Sequence, residues 1–75
     1  MSIIKGLSIN LTTWTKTREQ YNYPENDNNG GYEHGFEFEP DADGYVPMEA
    51  QWFLTESDMY KFINQNELKV LLKVS

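Results

Sequence analysis

Apolar and polar residues alternate in four separate stretches of this chain, and between the third and the fourth the pattern shifts to a helical period. Few folds accommodate that order. Leu7, Ile9 and Leu11 alternate with Gly6, Ser8, Asn10 and Thr12 in a run rich in β-formers through Trp14. Such alternation marks a half-buried strand. In the second run Tyr32, His34, Phe36 and Phe38 share a face, with Glu33, Gly35 and Glu37 opposite and Glu39 following. The third groups Val46, Met48, Ala50, Trp52 and Leu54 against Tyr45, Pro47, Glu49, Gln51 and Phe53. Pro47 cannot donate to a ladder, so this strand is expected to start at an edge or a bulge. After Leu54 the period changes. Thr55 is a good N-cap, Asp58 stands three residues on, Leu54 and Met59 occupy hydrophobic-staple positions, and Glu56 and Asp58 suit the positive end of a helix dipole. The spacing of Met59, Phe62 and Ile63 predicts a helix over 56–65, stopped by Asn66. Leu68, Val70, Leu72 and Val74 then alternate with Lys69, Leu71, Lys73 and Ser75 as a fourth strand.

The expected fold is α+β in the order β-β-β-α-β, a mainly antiparallel four-stranded sheet with one short helix on its aromatic face. The pairing of the fourth strand, with the first or the third, is left open by the pattern. Two segments interrupt it. Lys16 to Gly31 shows turn chemistry and no periodicity, and reads as a long loop. Glu39-Pro40-Asp41-Ala42-Asp43-Gly44 reads as a tight acidic turn.

Length and composition limit what such a sheet can do. Seventy-five residues make one domain, 1–75, with a thin core that buries about 60% of the unfolded surface. There is no cysteine, so neither disulfides nor thiolate metal sites can staple it. The start, Met1-Ser2-Ile3-Ile4-Lys5, lacks the pattern of a signal peptide, and no apolar run approaches the roughly 20 residues that span a bilayer. A soluble, cytoplasmic chain is expected.

Charge is segregated along this chain. Between Glu19 and Tyr60 lie eleven of the twelve acids and no Lys or Arg, giving the middle -11; six cations less Glu67 give the ends +5. Ordinary soluble surfaces intersperse the two signs. The net charge of -6 disfavours direct binding to nucleic acid or to anionic membranes. A positively charged protein surface is the complementary partner, against the simpler reading of a solvated acidic surface.

Three kinds of chemistry can be weighed on these residues. With Gly44 at the invariant sixth position of an EF-hand loop, Glu39, Asp41 and Asp43 fall at the first, third and fifth. Ala50 then stands at the twelfth, where a bidentate Glu is needed, and Pro47 opposes a following helix. A calcium site is thus the lesser alternative, and no metal or cofactor is assigned. Catalysis is not expected either: the one histidine, His34, lies on an apolar strand face, and no phosphate-binding loop is present. Binding fits better. Glu37 and Glu39 on one strand face are about 6.6 to 6.8 Å apart, and DNA carries a phosphate every 3.4 Å or so along each strand. The candidate electrostatic contacts are Glu33, Glu37, Glu39, Asp41, Asp43 and Glu49, with Glu25 and Asp27 in the long loop. Tyr21, Tyr23 and Tyr45 are the candidate anchors, since Tyr is enriched where proteins meet, while Tyr32 is assigned to sheet packing.

The cation-free stretch from Glu19 to Tyr60, centred on Glu33-His34-Gly35-Phe36-Glu37-Phe38-Glu39 and Asp41-Ala42-Asp43, resembles small acidic phage-encoded inhibitors of bacterial defence, including anti-CRISPR proteins and DNA mimics that block restriction enzymes. The likeness is one of size and charge distribution over about half the chain. Bacterial immunity proteins against nuclease toxins look similar at this level. The resemblance implies a non-catalytic inhibitor that occupies a nucleic-acid or PAM-reading groove of a basic protein or ribonucleoprotein, without a cofactor. The alternative is a structural or assembly protein forming a homo-oligomer, motivated by Phe53 and Leu71 on faces assigned to solvent.

Overall fold

The computed structural model describes residues 4–73. Met1, Ser2 and Ile3, on which the reading of the start depends, and Val74 and Ser75, the end of the expected fourth strand, lie outside the described residues. The first alternation forms β1, Ser8–Thr13, and the second forms β2, His34–Phe38. They pair antiparallel, which sets Ile9 opposite Phe38 and Leu11 opposite Phe36. All four side chains are buried and form the floor of the core. The predicted helix runs over Glu56–Gln65, as the spacing requires, and lays Met59 and Ile63 on that floor. Thr55 Oγ1 accepts from the Asp58 N–H at 3.1 Å. At the other end the Asn66 Nδ2 donates to the Phe62 carbonyl at 3.0 Å, satisfying a terminal acceptor.

The fold is α+β, and the described residues form four strands but two α-helices, in the order β-α-β-β-α-β. The first helix, α1, is Trp14–Gln20, so the helix over Glu56–Gln65 is α2. Trp14 opens α1 where it was expected to end a strand, and the supposed long loop is helical up to Gln20. Thr13 caps α1, its Oγ1 accepting from the Lys16 N–H at 3.3 Å. A single buried side chain, Thr17, docks it on the reverse face of the sheet, with the Thr12 and Thr17 hydroxyl oxygens 3.4 Å apart.

The third alternation yields only β3, Gln51–Phe53, because Pro47 cannot pair and the chain joins β2 late. Its facing is the reverse of the expected one. Phe53 lies on the core side, 5.9 Å from the Phe36 ring and 5.5 Å from Phe62. Trp52 lies on the other face, opposite Gly35 and edge-on to Trp14 at 5.5 Å. Leu54 and Val46 are exposed. Tyr32 is likewise exposed and precedes β2, so sheet packing does not claim it.

The strand order is β3-β2-β1-β4, with β4 spanning Lys69–Leu72. β4 pairs with β1 in parallel, so the sheet is mixed and not purely antiparallel. A parallel neighbour needs a crossover, and α2 supplies it by carrying the chain from the β3 edge to the opposite edge. The register slips beside Ile9 and Asn10, where Val70 pairs with Ile9 but Leu72 pairs with Asn10. This irregularity turns Leu72 from the expected core face to solvent, beside the exposed Leu71. Phe53 and Leu71 therefore lie at opposite edges of the sheet and form no joint apolar patch.

Candidate functional site

Antiparallel β2 carries acids at both of its ends. Glu33 is exposed just before it, beside Trp14, whose N–H donates to the Glu33 carbonyl at 2.8 Å. Glu37 and Glu39 stand at the far end, where the Glu39 N–H donates to the Ser8 carbonyl at 3.0 Å. Six residues of strand separate Glu33 from Glu39 by about 20 Å. They cannot share one compact site.

The far end is built by the connection from Glu39 to Ala50. Asp41 organises its tip: Oδ1 accepts from the Asp43 N–H at 2.9 Å and from the Tyr45 N–H at 3.0 Å. The Asp41 N–H also donates to the Tyr45 carbonyl at 2.9 Å, and Gly44 takes the left-handed φ of 82° that closes the turn. One Asp41 carboxylate oxygen is thus committed to its own backbone, while the Asp43 side chain is left to solvent. That geometry differs from an EF-hand, where the third-position carboxylate must face the ion. Among the described residues no three His, Cys, Asp or Glu side chains converge as a metal site requires.

Two open grooves flank this connection. One, of about 280 Å³, lies between Leu7, Phe38, Glu39, Tyr45 and Pro47. The other, of about 300 Å³, lies between Asn10, Tyr21, Glu37, Val46, Met48 and Glu49. Tyr21 arrives there because α1 turns back along β1 and is capped by Tyr21, whose N–H donates to the Thr17 carbonyl at 3.0 Å. The Gln51 side chain fixes Glu49 by donating from Nε2 to the Glu49 carbonyl at 2.9 Å.

Glu37, Glu39, Asp41, Asp43, Glu49, Tyr21 and Tyr45 therefore gather at one end of the molecule. Tyr23, Glu25, Asp27 and Glu33 do not join them. Tyr23 packs against Trp14 in a tilted arrangement, ring centroids 5.2 Å apart. The Asp27 carbonyl accepts from Trp14 Nε1 at 2.9 Å, and its Oδ1 accepts from the Asn29 N–H at 2.9 Å, so this acid holds the loop in place. Glu25 is exposed on that same loop.

Within the described residues none of the eleven acids between Glu19 and Tyr60 pairs with a Lys or Arg. Lys5 pairs instead with Glu67, at 2.9 Å. The reverse face is not uniformly acidic, however, because α1 brings the exposed Lys16 and the half-buried Arg18 onto that side. His34 sits at the rim of a third cavity, of about 270 Å³, with Met59, Tyr60, Glu56 and Lys73, half-buried as a rim histidine.

Asn10, Val46 and Met48 also line the grooved end, a role that the alternation of the strands does not signal. Asn10 carried one usable signal, an amide in the middle of an otherwise apolar and hydroxylic strand. Its Nδ2 donates to a Glu39 carboxylate oxygen, while its Oδ1 is the one side-chain polar atom buried without a partner among the described residues. No family model, no curated protein and no solved structure matches this chain.

Proposed function

We propose that the chain is a non-catalytic inhibitor that binds the basic, nucleic-acid-binding surface of a target protein or ribonucleoprotein through its acidic end, as a DNA mimic of the anti-CRISPR or anti-restriction type. The observation that carries this reading is the set of carboxylates gathered at one end, Glu37, Glu39, Asp43 and Glu49, none paired with a described Lys or Arg, with the exposed Tyr21 and Tyr45 among them. Carboxylates spaced along a strand present negative charge at a density near that of a nucleic-acid backbone, and exposed tyrosines supply the anchoring area that most interfaces need. Steering by the acids makes association fast and sensitive to salt. The partner is basic protein and not nucleic acid itself, the action takes place in the host cytoplasm, and no cofactor is used. No described helix is long and apolar enough to cross a membrane.

Affinity capture from bacterial lysate tests the reading. The captured proteins are expected to be nucleic-acid-binding, to be released as salt rises from about 50 to about 500 mM, and to be displaced by duplex DNA. The combined variant Glu37→Lys, Glu39→Lys, Glu49→Lys is expected to slow association about tenfold or more. Capture indifferent to both salt and DNA overturns mimicry.

One observation favours a second reading, assembly into a homo-oligomer. Leu71 and Leu72, 54% and 66% exposed, lie on β4, an edge strand of the kind that invites pairing with another chain. Under that reading light scattering gives an oligomer that Leu71→Lys with Leu72→Lys returns to monomer; a monomer at about millimolar concentration, where weak self-association would show, removes it.

A further inference from the structure

We infer that the groove between Tyr21 and Glu49 is a receptor for a single arginine side chain of the partner. The inference deepens the proposed function and rests on it for the partner's identity as a basic protein. The groove holds about 300 Å³, the lower limit of ligand-sized pockets, which suits one long side chain and not an extended strand. Its walls are of two kinds. Val46, Met48 and Tyr21 provide apolar surface for an aliphatic stem, while Glu37 and Glu49 provide carboxylates that no described Lys or Arg neutralises.

A third element is Asn10. Its Oδ1 is buried and accepts from no described donor, a state that costs about 1–3 kcal/mol in a typical fold. An acceptor kept in that state calls for an explanation, and a donor brought by a ligand is one. A guanidinium N–H that parts the side chains over it satisfies Asn10 while the other N–H groups face the two carboxylates. Arginine matches this donor set better than lysine. It offers five donors in a rigid plane that pairs with carboxylates and stacks on an aromatic face, whereas an ammonium is a compact, strongly hydrated point charge. The groove is also placed to stay open. Tyr21 is fixed by the last turn of α1 and Glu49 by the Gln51 side chain, so neither wall depends on a free loop end.

Titrating the whole protein with acetyl-Gly-Arg-Gly-amide, followed by amide chemical shifts in NMR, tests the assignment. The expected result is saturable shifts confined to Tyr21, Met48, Glu49 and the Asn10 side-chain amide. Binding is expected to be weaker by about fivefold or more for the lysine analogue and for Glu37→Gln or Glu49→Gln, and unchanged for Glu25→Gln. All three variants change exposed or half-buried acids whose carboxylates hydrogen-bond to no described residue, and retention of the fold is verified by their spectra. Shifts spread evenly over every acid, or equal binding of the lysine peptide, overturn the groove as an arginine site. Failure here with salt-sensitive, DNA-displaced capture intact removes the arginine receptor alone; the reverse outcome removes the DNA-mimic reading alone.

Discussion

Phe36→Ala is expected to leave most of the protein unfolded in water at 25 °C. Phe36 is fully buried in the middle of the sheet, and three other rings depend on it: Phe38 at 5.4 Å edge-on, Phe53 at 5.9 Å stacked, and Phe62 at 5.9 Å from α2. Removing a buried Phe side chain costs about 3–5 kcal/mol through lost transfer energy and the residual cavity. Each aromatic pair adds about 0.5–1.5 kcal/mol beyond burial. A core in a chain of this size supplies only about 3–5 kcal/mol of net stability. The substitution therefore consumes the whole margin. Phe36→Leu, which fills most of the volume, is expected to lower the urea midpoint but keep a cooperative transition. Tryptophan fluorescence reads both, since Trp14 and Trp52 lie on the opposite face and report the fold without touching the cavity. A Phe36→Ala protein within about 1 kcal/mol of the parent contradicts an aromatic core centred on this ring.

The elements that were legible in the sequence are those whose signal is local. α2 announces itself through Thr55, the acids of its first turn and the Met59, Phe62, Ile63 stripe, all of which act within ten residues. β1 and β2 declare their faces because Ile9 and Leu11 alternate with Ser8, Asn10 and Thr12, and Phe36 and Phe38 with Gly35 and Glu37. β3 does not. Trp52 and Phe53 are both large and apolar, so parity alone allows either to face α2, and the choice falls to Gly35, a residue 17 positions away that leaves room for one ring. α1 escaped because it docks through a threonine hydroxyl and Trp14, with no apolar stripe to reveal a helical period. The same blind spot limits the candidate site. Simple strand arithmetic already separates Glu33 from Glu39, yet the arrival of Tyr21 beside Glu37 requires α1 to turn the chain back. The fate of Asp41, whose carboxylate serves the backbone of its own turn, depends on angles that a row of acids does not disclose.

Gly35→Ala sets two effects of opposite sign against each other. In the middle of a strand alanine is normally favoured over glycine by about 0.5–1 kcal/mol, because the unfolded chain has less freedom to lose. Here a Cβ would stand 2.5 Å from the Gln51 carbonyl oxygen, 2.5 Å from Trp52 Cε3 and 2.9 Å from Trp52 Cδ2. Carbon atoms prefer separations of about 3.5–4.0 Å. The Trp52 ring could swing away, but the Gln51 carbonyl belongs to a strand that is paired over only three residues. Moving it opens the β2–β3 ladder, and overpacking of this kind costs about 1–3 kcal/mol. The clash outweighs the propensity gain, and a net loss of about 2 kcal/mol is expected, read as a lowered urea midpoint. The change also reaches the binding end. Gln51 ties Glu49 in place, and Trp52 supports Trp14 at the root of α1, so both walls of the groove shift with β3. The folded fraction of Gly35→Ala is accordingly expected to show an altered tryptophan near-UV signal and a weakened response to the arginine peptide. A stability gain with an unchanged near-UV spectrum would show that Trp52 does not lie over Gly35, and with it would go the facing of β3 on which the position of Glu49 depends.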